Sequence, residues 1–280
     1  MKIEKIAGVC CGQDGAIFGD LFFRLDVSGK VSIYDANSFE FISDFHLDKS
    51  EYWLPHSNCC FFGNQYVSEK DELPVFYTNV YNNYGDQADR REGVLLAYRI
   101  TKKDGSLSSE LIQIIKIGFV EDLSLWKSLP ENKDTRSYGN FLQDNDTDKL
   151  WAFTMRDKEK TTRFISFNMP KIKEGIVEPL SGVKTVTLTE NDILSQFDID
   201  YQYFIQGACM KNGIIYSLEG YGVGSDYKGR IKLIDAESKK QMQEVNLSEF
   251  GCIHEPECID FYGERCIYGD STGDIFEISF

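Results

Sequence analysis

The chain has 280 residues, 42% hydrophobic and 27% charged, with a formal net charge of −15 at pH 7. Compact domains are usually shorter, but single propellers and barrels reach this length, so one domain over residues 1–280 is expected. The acidic excess argues against nucleic-acid and anionic-membrane partners, which require a concentrated positive surface. No apolar run approaches the ~20 residues needed to cross a bilayer, and the N-terminus does not resemble a signal peptide, so a cytoplasmic location is predicted.

The first predicted strand, Lys2–Val9, stands ahead of a series of four-stranded units. In the first unit, residues 13–16 lead through a Gly-Asp turn into Leu21–Phe23. A third strand, Lys30–Asp35, ends in an Asp-initiated turn, and a fourth strand runs towards Leu47. Four short strands in succession, separated by turn signals, are typical of a propeller blade.

The next two units follow the same order but carry insertions in their turns. The strands predicted for the second unit are Cys59–Phe62, Val75–Thr78, Val94–Tyr98 and Leu111–Ile115. The strands predicted for the third unit are Tyr138–Leu142, Leu150–Phe153, Phe164–Phe167 and Val183–Leu188.

The fourth unit repeats the first most clearly. Its segment Arg230–Ala236 matches Lys30–Ala36, and residues 30 and 230 are 200 positions apart in the chain. Upstream of it, an Asn-Gly pair joins two apolar runs, which is a strong hairpin signal. The last unit has three predicted strands only: Cys258–Phe261, Arg265–Tyr268 and Asp274–Ile278.

These repeats predict an all-β fold, a five-bladed β-propeller with four-stranded antiparallel blades. The spare strand Lys2–Val9 would complete the last blade and remove the exposed edges of an open array. A β-sandwich is the main competing fold, but it would not require one strand order to return at the same spacings. A six-bladed ring would need another blade between Phe119 and Arg136, where the strand signal is poor.

Three segments of the C-terminal third carry a resemblance to a known family: Phe204–Ala208, Ile215–Gly222 and Ile267–Ile278. They resemble the plant-type and bacterial glutaminyl-peptide cyclotransferases, which are five-bladed propellers. The resemblance implies this fold. That family places its catalytic Glu directly after the Tyr or Phe of the second strand, whereas Ser217 follows Tyr216 here, and Glu219 comes two residues later on the same strand face.

Function on a propeller is expected at the central channel, because the segment before each innermost strand opens into the same small space. These five mouth segments are unusually polar. The predicted ligand-binding residues are Gln13, Asp14, His56, Asn58, Tyr138, Asn140, Gln206, His254, Glu255 and Glu257. The alternative is that the same side chains hydrogen-bond one another and ordered water.

Two of the three histidines, His56 and His254, fall in equivalent segments, where Glu255 or Glu257 could shift their pKa. A metal site would need several of these side chains to converge, with Asp14 among them, but the sequence contains no metal-binding spacing motif. No metal and no cofactor are therefore predicted.

The predicted function is binding of a small polar ligand, a glycan or a peptide at the channel mouth. One alternative is a propeller enzyme, either a glutaminyl cyclase-like acyl transferase or a glycoside hydrolase that uses Asp14, Glu255 and Glu257 as acid and base. Another alternative is a protein-interaction platform, which an exposed apolar patch would favour. The oligomeric state cannot be read from one sequence.

Overall fold

A computed structural model describes residues 1–80, 93–103, 105–117, 139–156, 158–179, 182–222, 224 and 228–280. Their strands form five small sheets arranged around a central channel. In the described residues, no helix is long and apolar enough to cross a membrane. The predicted five-bladed propeller is confirmed.

The strands follow one another in chain order. The N-terminal strand is β1 (Lys2–Gly8). Blade 1 consists of β2 (Gly15–Phe18), β3 (Leu21–Leu25), β4 (Lys30–Asp35) and β5 (Phe41–His46). A short helix α1 (Ser50–Trp53) leads to blade 2, which contains β6 (His56–Phe62), β7 (Phe76–Val80), β8 (Val94–Lys103) and β9 (Ser106–Ile117).

The second half of the ring includes an excursion within blade 3. The next strands are β10 (Asn140–Asp144), β11 (Lys149–Arg156), β12 (Thr161–Asn168), β13 (Ile176–Val177), β14 (Lys184–Leu188) and β15 (Ser195–Asp200). Blade 4 consists of β16 (Ile205–Lys211), β17 (Ile214–Glu219), β18 (Arg230–Asp235) and β19 (Lys240–Asn246). The last strands are β20 (Pro256–Tyr262), β21 (Arg265–Asp270) and β22 (Asp274–Ser279), and 3-10 helices span Glu190–Asp192 and Leu247–Phe250.

The N-terminal strand completes blade 5, as the repeat count predicts. Strand β1 pairs antiparallel with β22, from Lys2 opposite Ser279 to Gly8 opposite Asp274. The amide of Val9 then donates a 2.8 Å hydrogen bond to the carbonyl of Gly273. Because β1 covers the edge of β22, the ring is closed by strands from both ends of the described chain.

The predicted fourth strand of blade 3 is wrong. That position is held by β15, which pairs antiparallel with β12. The segment Lys184–Leu188 instead forms β14, which adds in parallel to β9 and, together with β13, extends the sheet of blade 2 to six strands. The chain therefore leaves blade 3 after β12, covers the outer edge of its neighbour, and returns.

Each pair of neighbouring blades encloses a hydrophobic cluster of its own. Between blades 1 and 2 the rings of Phe23 and Phe62 lie 5.0 Å apart in an edge-to-face arrangement. Between blades 5 and 1, Ile267 packs with Phe22. These clusters fix the five innermost strands around the channel, which positions the mouth segments.

Candidate functional site at the channel mouth

Most of the predicted mouth residues lie where expected, at the start of the five innermost strands. Asp14, Asn58, Asn140, Gln206 and Glu257 are each at least 95% buried. Gln13 is half-buried, and its carbonyl is within 3.5 Å of the guanidinium of Arg24. Tyr138 lies outside the described residues.

A chain of hydrogen bonds connects blades 2 to 5 across the mouth. Asn58 donates through Nδ2 to Oδ1 of Asn140 at 2.9 Å. Asn140 in turn donates to the carbonyl of Gln206 at 3.3 Å. The side chain of Gln206 donates to Oε1 of Glu255 at 2.5 Å. These four side chains therefore link neighbouring blades, as expected if the polar residues at the mouth hydrogen-bond one another.

Asn79 on β7 makes further hydrogen bonds to Asn58 and to the backbone around it. Its Nδ2 donates to Oδ1 of Asn58 and to the carbonyl of Gly139, and its Oδ1 accepts from the amide of Cys59 at 3.0 Å. Asn79 is fully buried. Sequence reasoning missed it because it follows an apolar run and lies on a second strand, away from the mouth segments.

Asp14 connects blades 1 and 2. Its Oδ2 accepts from the amide of Cys60 at 2.6 Å, and its Oδ1 accepts from the amide of Gly15 at 2.7 Å. Burial raises the pKa of this carboxyl well above its usual range, although both amide hydrogen bonds and the positive charge of Arg24 oppose the shift. Both oxygens of Asp14 are thus engaged by the backbone.

Arg24 on β3 connects blades 1 and 5. Its Nη2 donates to the carbonyls of Gly12 and Asp270 at 2.9 and 2.8 Å. The side chain is 1% exposed and packs against two glycines: a Cβ at Gly12 would lie 2.7 Å from Nε, and one at Gly269 would lie 3.6 Å from Nη1. A charged residue within the apolar run Leu21–Leu25 was the available sequence signal, and the prediction overlooked it.

Glu257 differs from its neighbours at the mouth. It is 3% exposed, and no hydrogen bond joins its carboxyl to another described residue, although its oxygens are not among the fully enclosed polar atoms that lack a partner. Burial raises its pKa to about 9; Arg24 opposes this effect, while Glu255 and Asp14 reinforce it. At neutral pH the group is therefore a neutral carboxylic acid, with one hydrogen to donate and acceptor oxygens besides.

Gly207 brings blade 4 close to the two buried acids. A Cβ at this position would lie 2.8 Å from the carbonyl oxygen of Glu257 and 3.2 Å from Oδ1 of Asp14. A side chain would therefore clash with the backbone of β20. Blade 4 therefore contributes the side chain of Gln206 to the mouth and has no side chain at the next position, Gly207.

His56 and His254 lie at the mouth segments of blades 2 and 5. Burial alone lowers the pKa of His56 to about 4, so this ring is neutral at physiological pH. His254 is half-buried, and its Nδ1 has no hydrogen-bond partner in the described chain. Within the same residues, no hydrogen bond or ion pair joins His254 to Glu255 or Glu257, as an acid–base pair would require.

Tyr221 stands at the rim of the mouth. Its side chain is 76% exposed, and its ring centroid lies 6.4 Å from that of Phe204. The preceding residue, Gly220, accepts a 3.0 Å hydrogen bond from Gln206, and the amide of Gly222 interacts with Glu255. The aromatic ring therefore belongs to a segment that these hydrogen bonds attach to the polar chain.

The acidic residue nearest the family's catalytic position is engaged elsewhere. Ser217 is 2% exposed, and Glu219 forms a 2.7 Å ion pair with Lys232 in which both side chains are buried. Burial raises the pKa of Glu219, opposed by Lys232 and by the amides of residues 202 and 203. Glu219 thus serves a buried ion pair and offers no free carboxylate.

The opposite end of the channel holds a cavity of about 120 Å³, lined by residues of all five innermost strands. Asp260 lies there and accepts from the amides of Ile17 and Phe261 at 2.7 and 2.8 Å. Burial raises its pKa to about 6. In the part of the chain that the structure describes, no three His, Cys, Asp or Glu side chains are grouped to hold a metal ion.

No protein-family model matches the chain, and no curated protein matches it in sequence. Its structure is similar to that of the glutaminyl cyclase from Myxococcus xanthus, with a TM-score of 0.50 and 11% identity, covering 100% of this chain and 94% of that one. Hydrazine synthase from Kuenenia stuttgartiensis has a TM-score of 0.41 and 10% identity, covering 92% of this chain and 61% of that one. The computationally designed protein Ika8 has a TM-score of 0.38 and 7% identity, covering 99% and 98%. At such low identity, the likeness to the cyclase supports the resemblance noted in the sequence at the level of the propeller fold alone.

Proposed function

We propose that this propeller binds a small polar ligand of the glycan or peptide type at its channel mouth, and that Glu257 recognises an amide group of that ligand. The supporting observation is the contrast between Glu257 and its neighbours. Asp14, Asn58, Asn140 and Gln206 use their hydrogen-bonding capacity between blades, whereas the carboxyl of Glu257 makes no hydrogen bond to another described residue. A ligand would supply that partner.

The chemistry of a neutral carboxylic acid favours an amide as the complementary group. With a pKa of about 9, Glu257 carries its proton at pH 7. Its hydroxyl can donate to the carbonyl of an amide, and its carbonyl oxygen can accept from the N–H of the same amide. Peptides and N-acetylated sugars both carry such a group.

Tyr221 would supply the apolar contact. An exposed aromatic ring next to polar groups offers a face on which a sugar ring or a planar peptide unit can stack. The ring is attached to Gly220 and Gly222, which contact Gln206 and Glu255. Stacking at the rim would therefore place the polar part of a ligand over the mouth.

A second candidate function is cyclisation of a peptide with an N-terminal glutamine, because a protonated buried acid lies at the mouth and the Myxococcus xanthus structure is that of a glutaminyl cyclase. In that reaction the α-amine nitrogen attacks the side-chain carboxamide carbon. A C–N bond forms, the bond to the amide nitrogen breaks, and ammonia leaves with the proton that the amine loses. Binding is preferred here because Ser217 replaces the family's Glu and Glu219 is paired with Lys232.

Isothermal titration with two probes, N,N′-diacetylchitobiose and the tripeptide Gln-Gly-Phe, tests the proposal. We expect saturable 1:1 binding of at least one probe. Glu257→Met should weaken it at least tenfold, because the ligand amide would lose both hydrogen bonds. Glu257→Gln should retain most of the affinity, because a carboxamide also donates and accepts.

Two tyrosine variants form a matched pair in the same titration. Tyr221→Ala should weaken binding about tenfold through loss of stacking, whereas Tyr66→Ala, an exposed tyrosine on blade 2, should not change it. Binding of neither probe, or equal binding by wild type and Glu257→Met, would contradict the proposal. Release of ammonia from Gln-Gly-Phe would instead support the cyclase.

A further inference from the structure

A groove of about 620 Å³ lies on the outer side of blade 2, built from residues that do not contribute to the channel mouth. Its floor is formed by residues 110–112 of β9. Its walls are the segment 65–67, the segment 171–173 and the base of the β13–β14 hairpin. Sequence reasoning did not anticipate it, because it depends on β14 joining the neighbouring blade.

The walls are held in place by two side-chain amides, of which Gln65 is half-buried and Gln113 is buried. Gln65 donates to the carbonyl of Pro170 at 2.8 Å and accepts from the amide of Ile172 at 3.1 Å. Gln113, which is fully buried, donates to the carbonyl of Lys171 at 2.8 Å. The groove is thus preformed by the fold, as ligand sites usually are.

Large apolar side chains are exposed along this groove. Tyr66 is 46% exposed, Val67 39% and Val177 54%, and the adjacent Ile176 is 83% exposed. Single exposed apolar residues are ordinary, but a contiguous set beside a concave surface typically marks a binding site.

Most charged side chains at the groove are lysines, whereas the net charge of the whole protein is negative. The charged residues of the described lining are three lysines and Glu110, and Lys171 pairs with Asp148 at 2.7 Å. The remaining cations at the groove, on residues 173 and 184, have no carboxylate within ion-pair distance among the described residues.

Lys173 and Lys184 also lie close to one another. The ammonium group of Lys184 donates to the carbonyl of Lys173 at 2.7 Å, which draws the hairpin and the segment 171–173 together. In a chain with a formal charge of −15, these two neighbouring lysines, which have no counterion among the described residues, form a local positive site beside an apolar surface.

We infer that this groove binds a small amphipathic anion, a carboxylate on an apolar chain. The carboxylate lies between Lys173 and Lys184, and the apolar chain lies along Val67, Ile112 and Val177. The volume falls within the range of roughly 300–1,000 Å³ that is common for small-molecule sites. This site is independent of the proposed function at the channel mouth.

Titration with dodecanoate below its micelle-forming concentration tests the inference, with dodecan-1-ol as the uncharged comparison. Wild type should bind one dodecanoate and bind dodecan-1-ol about tenfold more weakly. The double variant Lys173→Gln/Lys184→Gln should lose about tenfold for dodecanoate, because each partly exposed ion pair contributes modestly. Its affinity for dodecan-1-ol should stay unchanged.

Three further variants control for location and folding. Val177→Asp should abolish dodecanoate binding by placing a negative charge on an exposed strand. Lys240→Gln, an exposed lysine of β19, and Tyr221→Ala at the channel mouth should leave it unchanged. Thermal unfolding should be close to wild type for all of these variants. Absent binding, equal affinity for the alcohol and the acid, or binding insensitive to both groove changes would overturn the inference.

Discussion

Arg24→Met tests the role of a buried cation in closing the ring between blades 5 and 1. Methionine is shorter than arginine and has no hydrogen-bond donors, so it can fill the space beside Gly12 and Gly269 without binding the carbonyls that Nη2 reaches. The substitution removes the hydrogen bonds that Nη2 donates to the carbonyls of Gly12 and Asp270. These carbonyls lie on opposite sides of the junction.

The expected loss in the free energy of unfolding combines the lost hydrogen bonds with the relief of desolvation. A hydrogen bond to a charged group contributes about 1.5–3 kcal/mol, so two such bonds amount to about 3–6 kcal/mol. Removing a buried guanidinium also relieves its desolvation, which offsets part of this loss. Glu257 loses a positive neighbour that lowers its pKa, so its carboxyl stays protonated at pH 7 and gains no charge. The pKa of Asp14 shifts further upward for the same reason. We expect a net loss of about 3 kcal/mol.

Urea unfolding at pH 7 measures this loss, with Lys30→Met as the control in the same blade. Lys30 forms an exposed ion pair with Asp44, so its removal should change the free energy of unfolding by less than about 1 kcal/mol. Hydrogen exchange should quicken at the Asp270–Asp274 turn in Arg24→Met. A free energy of unfolding within 0.5 kcal/mol of wild type, roughly the noise for a surface change, would refute this account of closure, as would unchanged exchange.

Two further substitutions test buried groups. Lys232→Met should destabilise the fold by about 3–5 kcal/mol, since it leaves Glu219 buried without its partner, and adding Glu219→Gln should restore much of the loss in urea unfolding. Glu257→Gln should stabilise the protein more at pH 8.5 than at pH 5 in thermal unfolding. The pKa of Glu257 rises from 4.5 to about 9 on folding, so the native state binds the extra proton and wild-type stability falls as the pH rises through this window. An equal effect at both pH values would contradict the raised pKa.

The blade repeat could be predicted because the turns repeat local chemistry as well as hydrophobicity. Asp35 accepts through Oδ1 from the amide of Ser38 at 2.7 Å, and Asp235 accepts from the amide of Ser238 at 2.6 Å. Such Asp-initiated turns depend on residues adjacent in sequence. They are therefore readable without knowledge of the rest of the fold.

The choice between two strands in blade 3 could not be made in the same way. Both Lys184–Leu188 and Ser195–Asp200 have the residue types of a strand, and local pattern does not specify a pairing partner. The structure selects the second segment through contacts distant in sequence: Phe197 stacks on Phe164 at 5.2 Å, and Asp198 pairs with Arg163. The first segment instead follows β9 in parallel.

The mouth was predictable in position but not in chemistry. Polar residues before each innermost strand could be located from the repeats, yet their pairing depends on distances across the ring. Arg24 and Asn79 were missed because they lie on second strands and reach the mouth region only after folding. His56 was predicted as a ligand-binding residue from its residue type and its position, and the burial that lowers its pKa to about 4 could not be read from the sequence.

Polar residues around a propeller channel have two competing uses, holding the blades together and binding a ligand. The two uses leave different signatures, because a residue that links blades has its donors and acceptors satisfied within the fold. By this criterion Asp14, Asn58, Asn140 and Gln206 are structural. Glu257 is as deeply buried as they are, yet no hydrogen bond joins its carboxyl to another described residue. The proposed ligand would supply this bond, whereas the hydrogen bonds that close the ring between blades 5 and 1 come from Arg24.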